Sequence, residues 1–537
     1  MNIREIEKII DNYHLKHSFF YGSKEQLIYE ALTTFEDLCL LSVYSSILNP
    51  LSLHQIVDHM DSLNQMLLWI EQSEIPSTDK QIETDISEER YKQCVSIMTE
   101  YAYPYSRICS GYISFSRKRL DAKVDGNTVT FTSIEGSNNS TWNDIIREIN
   151  ESNPTTVMSD FNPINIIKAN SEILNRSSIQ DGYLCYEITS ETLDPFLEIA
   201  EKQWNITKTL PDSWKFDYFS LEQYKNVWVA ITALCYIHFS SCAKIKDPLI
   251  RLKNALINVP FDAFTKAISK MCEVDVATVK IIVDYISFDP RKKNVDIMYQ
   301  PITKIHNKTI LIAPILFMGS RPERNLLAVV SSKSDYEHSK EVNALEDLMV
   351  QEIEEILPVN DNIIVAKHKK LEGRLPDIDF GIYDILTNSV LLCELKWFMA
   401  ADSSKEVYAR EDDITHGCEQ SDSIMTYAMT NKENFMKQVF GVNDYESIDF
   451  FCCVVAKHNI RTRNKYVPVI DINKLKYLIR TKPLNSVFHI IRNHEYEDSL
   501  PNNAEITYQS VNYGGFTFNI PAIGFEGEIQ EVNFPFE

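Results

Sequence analysis

The residues best suited to do chemistry are concentrated at 372–396. Glu372-Gly-Arg-Leu-Pro-Asp-Ile-Asp-Phe-Gly-Ile-Tyr-Asp384 is followed by Val390-Leu-Leu-Cys-Glu-Leu-Lys-Trp397. In an extended strand alternate side chains share a face. Glu394 and Lys396 therefore point one way, and Cys393, Leu395 and Trp397 point the other way into a core. By the same spacing Asp377 and Asp379 share a face, with Ile378 and Phe380 opposite. A short turn, Leu386-Thr-Asn-Ser389, joins the two strands. Pairing them can bring Asp379 beside Glu394.

Two carboxylates and an ammonium would then converge on one sheet edge. Closely spaced carboxylates repel, so such a pair costs stability unless a cation joins them. Mg²⁺ or Mn²⁺ is the expected ion, being hard, oxygen-seeking and content to keep several waters. The carbonyl of Leu395, between the second acid and the lysine, is a third candidate ligand. Lys396 could orient a metal-bound water or offset charge on a phosphate oxygen. These are the requirements of phosphodiester hydrolysis by in-line attack. A Glu-x-Lys triplet alone also occurs on solvated strand faces, where charges pair across strands.

Pro376-Asp377-Ile378-Asp379 followed by Glu394-Leu395-Lys396 resembles the PD-(D/E)XK, or restriction-endonuclease-like, nuclease superfamily. The resemblance covers roughly 340–480. It implies metal-dependent cleavage of nucleic acid, usually DNA, with restriction or bacterial phage defence as the setting. Carried over by residue, the first metal-binding acid falls on Asp379 or Asp377, with Asp379 favoured because it begins the apolar strand Phe380–Tyr383. Glu394 becomes the second metal ligand and Lys396 the catalytic lysine. Members often place a glutamate on the preceding helix; Glu352 and Glu346 are the candidates, Glu352 being favoured. Some place a glutamine on the helix after the lysine strand. Gln420 matches that position, but Ile424 stands where the related pattern has tyrosine.

The elements that must position these residues follow from periodicity. Glu341–Leu357 reads as a helix, then Ile363–His368, Leu375–Ile385 and Ser389–Trp397 as strands. Asp413–Thr430 is a helix, Ile448–Ala456 a strand and Asp471–Ile479 a short helix, with 402–413 a polar acidic loop. A mixed sheet flanked by helices buries such faces. Upstream, residues 1–105 and 141–300 read as mostly helical, separated by a hairpin at Lys123–Phe131 turning near Asp125–Gly126. Gly136–Ser140 is expected as a turn, Thr309–Phe317 as a β-like run, and Tyr508–Phe518 as a β-rich tail. The expected organisation is a helical recognition, regulatory or assembly region over 1–295 and a mixed α/β nuclease-like domain over 296–537. The fold class is thus α+β or α/β with an αβββαβ core.

Charge narrows the partners. The 537 residues carry a net charge of −23, from 53 basic and 76 acidic side chains. That excludes a general polyanion binder coated in positive charge. Positive charge gathers in two places, Lys367, Lys369, Lys370 and Arg374 before the acids, and Lys457, Arg461, Arg463 and Lys465 after the fourth strand. Lys369, Lys370, Arg374, Lys457, Arg461 and Arg463 are the candidate contacts to DNA phosphates, RNA being an alternative. A second copy or another protein, engaged through the N-terminal region, is a further expected partner. Eleven cysteines without a Cys-x-x-Cys pair argue against a disulfide framework or cysteine zinc site. With no signal-peptide core and no span-length apolar stretch, a cytoplasmic location is expected. No phosphate loop or nucleophile elbow is present. The competing reading is a non-catalytic nucleic-acid-binding or scaffold protein on the same fold.

Overall fold

The computed structural model describes the chain except residues 47–53, 135–141, 144, 146–162, 209, 213, 217, 290, 292–295, 307, 332–334, 360, 402–403, 444–446, 462–465, 499–503 and 526–537. The expected turn at 136–140 therefore lies outside the described residues. The chain is a mixture of helices and mixed sheets. It divides into two compact units, one of residues 1–108, 154–335 and 512–516, the other of 109–153, 336–511 and 517–537. A break at 295 does not coincide with this division. Strand Ile257–Pro260 pairs with Thr309–Ile312, so the sheet they share straddles that point. The hairpin pairs Leu120–Asp125 with Thr128–Ser133 around Gly126-Asn127, one residue beyond the expected turn, and belongs to the second unit.

The first unit is mainly helical. One largely buried helix, Leu221–Cys242, starts at a capping box in which Ser220 and Gln223 satisfy each other's backbone N–H groups. The expected β run over 309–317 stops at Ile312. Pro314 begins a helix there, and the buried Glu36 carboxylate accepts the Ile315 N–H.

In the second unit, helix α1 (Asp335–Glu354, in this unit from Tyr336) is followed by strands β1 (Ile363–Lys369), β2 (Ile378–Asp384) and β3 (Ser389–Lys396). Helices α2 (Ser404–Thr430) and α3 (Lys432–Phe440) lead to β4 (Asp449–Ala456), β5 (Val469–Asp471) and helices α4 (Ile472–Thr481) and α5 (Leu484–Arg492). The sheet order is β5-β4-β3-β2-β1, with β4 parallel to β3 and β5, and β2 antiparallel to β1 and β3. The β2–β3 turn suits its residues. Asp384 accepts from the Leu386 N–H and the Thr387 hydroxyl, and Asn388 takes the left-handed conformation asparagine tolerates.

Helices cover both faces of this sheet. Met349, Val350 and Ile353 of α1 pack with Phe380, Ile382, Cys393 and Leu395, together with α4 and α5. Val390 and Leu392 on the other face pack with Ile424 and Ala428 of α2 and with α3. β3, the middle strand of a mixed sheet covered by helices on both faces, is therefore buried on both sides. The expected acidic loop over 402–413 is instead, from Ser404, the first turns of α2. Val407, Tyr408, Glu411, Ile414 and Cys418 are all buried at helical spacing, and Glu411 hid the period because it is charged. Its carboxylate is matched by Arg119 and Asn143.

Candidate active site

The site forms where β2 and β3 part. Their pairing ends at Phe380 with Cys393, and the next step in register sets Asp379 opposite Glu394. There the Asp379 carboxylate takes over from the ladder: its Oδ2 accepts the Leu395 N–H at 2.8 Å. An extended residue directs its N–H and carbonyl to the same neighbour. The Leu395 carbonyl thus opens toward the same gap, while that of Lys396 accepts from the Lys457 N–H on the β4 side.

Glu394 is only 4% exposed, though charged and on a central strand. Lys396 Nζ donates to its Oε1 at 2.6 Å, and its Oε2 is buried without a partner. A buried carboxylate oxygen left unpaired is costly. Burial first, then the charge of Asp379, pushes the Glu394 carboxyl up to about 7 despite the ammonium beside it. Asp379 is also raised by burial, against the opposing pull of the Leu395 N–H and Lys396. Burial works against the Lys396 ammonium, yet the surrounding carboxylates of Glu394, Glu346 and Asp379 outweigh it and raise its pKa. Lys396 is therefore held as a cation. The solvated-face alternative for Glu394 and Lys396 does not describe this arrangement.

Of the two helix glutamates, the structure brings Glu346 to the cluster. Burial pushes its carboxyl up to about 7, and Lys396 and Asp379 are its largest charged influences. Glu352 is tied elsewhere, to Lys457 at 3.0 Å and Lys476 at 2.8 Å. Those lysines hold it ionised against the effect of burial. The preference for Glu352 is thus corrected: six residues along, the helix carries it away from the acids. Asp377 is exposed and adds negative charge near Asp379.

Gly417 of α2 explains how helix and site fit. A Cβ there would lie 3.0 Å from Lys396 Cε and 3.5 Å from Glu394 Cγ. Gln420, one turn on, has a buried Oε1 without a hydrogen-bond partner. At the other flank, Ile378 pairs with Lys369 and Phe380 with Lys367, so the backbone of His368 in β1 falls opposite Asp379 in register. His368 has φ +47° and its Nε2 lies 3.1 Å from Asp347 Oδ1. Sequence reasoning passed over His368, Asp347 and Gly417; strand register and close approach identify them.

The basic groups divide. Lys369, Lys370 and Arg374 are exposed, with Lys369 opposite Ile378 in the ladder and Arg374 three residues before Asp377. Lys457 is committed to Glu352, and Arg461 packs over Trp142 with its ring 4.2 Å away and donates to the Asp498 carbonyl. Neither of these two is the free phosphate contact expected. Arg463 lies outside the described residues.

Among the described residues no three His, Cys, Asp or Glu side chains converge to hold a metal alone. The donor set that fits an ion is narrower: Asp379, the orphaned Glu394 oxygen and the Leu395 carbonyl, with water completing the shell as Mg²⁺ prefers. No family model matches the chain, and no curated protein or solved structure is significantly similar to it. No helix among the described residues is long and apolar enough to cross a membrane.

Proposed function

We propose that this chain is a divalent-metal-dependent nuclease that hydrolyses phosphodiester bonds in DNA, on a restriction-endonuclease-like core over about 340–480. The observation that carries the reading is Glu394: a buried carboxylate with one orphaned oxygen, next to Asp379 and Lys396 on a central strand. Charges placed so expensively in a core call for a cation and a task. The order of helix, three strands, helix and strand around it supports the reading.

Asp379, Glu394 and the Leu395 carbonyl would hold Mg²⁺ or Mn²⁺, with Glu346 close enough to act on the same ion through water. The bound ion supplies Lewis-acid polarisation of the phosphate. Lys396, kept as an ammonium, orients the attacking water and offsets charge on a non-bridging oxygen; it is not the base. As the water oxygen bonds to phosphorus, the ester P–O bond breaks and its electron pair leaves with the departing oxygen. The water loses a proton to solvent and the departing oxygen gains one. Lys369, Lys370 and Arg374 would contact the DNA backbone. A second copy or a protein partner would supply the second cut of a duplex, in restriction or phage defence.

The test is incubation of the purified chain with plasmid and linear DNA, and with RNA, in Mg²⁺ or Mn²⁺. Asp379→Ala, Glu394→Ala and Lys396→Ala run alongside. Wild-type cleavage lost by about 10²-fold or more in each variant supports the reading. Cleavage that persists in all three refutes the site. Cleavage of RNA alone would change the substrate, and absence of cleavage with any metal would favour a binding or scaffold role.

A further inference from the structure

We propose that His368, held by Asp347, contacts the leaving oxygen of the scissile phosphodiester; the inference rests on the nuclease reading. The placement comes from the sheet. Across its end the strands present, in order, Glu394 and Lys396 on β3, Asp379 on β2 and His368 on β1. His368 is thus on the far side of Asp379 from the strand that carries Glu394 and Lys396. In-line displacement puts the entering and leaving oxygens on opposite sides of phosphorus. If Lys396 serves the entering water, His368 is on the flank where the other oxygen departs.

The backbone at His368 points the same way. In a regular ladder His368 would share a face with Ala366, which packs with α3. Its φ of +47° breaks that alternation and lets the ring reach Asp347 of α1, the helix packed on the opposite face. A left-handed non-glycine residue is uncommon, and such strain gathers at functional sites. Asp347 faces Nε2, which leaves Nδ1 for substrate. Nδ1 has no partner among the described residues, and the side chain is about half exposed, at 52%. The positive influence of His368 on the Asp379 carboxyl agrees with a ring close to the acids.

Donating from Nε2 to Asp347 and from Nδ1 to the departing oxygen takes a proton on each ring nitrogen. Nδ1–H then hydrogen-bonds the departing oxygen as it takes up the electron pair of the breaking P–O bond. Solvent, which reaches the half-exposed ring, supplies the proton that neutralises that oxygen. His368 is the contacting residue and Asp347 a positioning residue.

Two substrates separate this role from a structural one: a DNA oligonucleotide, and the p-nitrophenyl phosphodiester of thymidine, whose departing oxygen needs little help. Wild type, His368→Ala, His368→Gln and Asp347→Asn are compared in Mn²⁺, with melting curves to establish folding. The expected result is a fall of about 10²-fold in kcat on DNA for His368→Ala, by analogy with loss of one oxyanion donor. Hydrolysis of the nitrophenyl ester stays near wild type. His368→Gln, which keeps an N–H donor, recovers part of the DNA activity, and Asp347→Asn falls between. An equal loss on both substrates, or no loss on DNA, overturns the inference while the nuclease reading stands. A wild type inactive on both substrates overturns that reading, and the inference with it.

Discussion

The Glu394 carboxylate is the residue on which the account turns, because its environment makes a claim about pH. Glu394 and Glu346 both have carboxyls raised to about 7 by burial. Between about pH 4.5 and about pH 7 the unfolded chain has lost these protons and the folded one has kept them. Metal-free stability therefore falls as pH rises through that window. A divalent ion bound to the ionised acids reverses the trend. The expected outcome is a Tm increase on adding Mn²⁺ that is larger at pH 8 than at pH 5, read by scanning calorimetry. Glu394→Gln should flatten the metal-free slope and abolish most of the Mn²⁺ effect. Glu346 and Glu352 should separate cleanly. Glu346→Ala is expected to lower cleavage by about 10-fold or more, as loss of a group supporting a metal centre does. Glu352→Ala strands Lys457 and Lys476 and should lower stability by about 1 kcal/mol with cleavage little changed.

At the scale of elements, α2 and β3 must approach closely, and Gly417 is what permits it. A glycine in a helix interior costs about 1 kcal/mol relative to alanine. Gly417→Ala should therefore hold or raise the Tm while cleavage falls, because the new methyl displaces Lys396. A fall in both, or in neither, would contradict this role. The contrast shows what periodicity can convey. Alternation at 393–397 placed Glu394 and Lys396 on one face, and the strands and helices around them follow the expected order. The start of α2 was illegible because Glu411, buried against Arg119 and Asn143, reads as a surface acid. Glu352 looked better placed than Glu346 because helix position alone does not say which lysines lie nearby. His368 was invisible because its left-handed φ breaks the alternation that strand reading assumes. The association of residues 109–153 with the second unit depends on contacts distant in sequence, such as Asn143 with Arg461.

For the whole molecule, a net charge of −23 sets the terms of DNA binding. Much of the positive charge at 451–500 is spent internally, by Lys457 and Lys476 on Glu352, by Arg461 on Glu497, and by Lys474 on Asp471 and Asp498. Among the described residues, Lys369, Lys370 and Arg374, which precede the acids in sequence, face solvent. Binding should be weak without metal and strongly salt-dependent. Replacing those three residues by alanine should reduce the slope of log affinity against log salt by about 2–3 in fluorescence anisotropy. An unchanged slope would move the DNA contact elsewhere.

The most direct test of the central claim is anomalous diffraction from crystals soaked in Mn²⁺. The account predicts a peak bridging Asp379 and the second oxygen of Glu394, within reach of the Leu395 carbonyl and beside Lys396. Ordered density for both carboxylates with no peak between them, at Mn²⁺ concentrations that support cleavage, would contradict it.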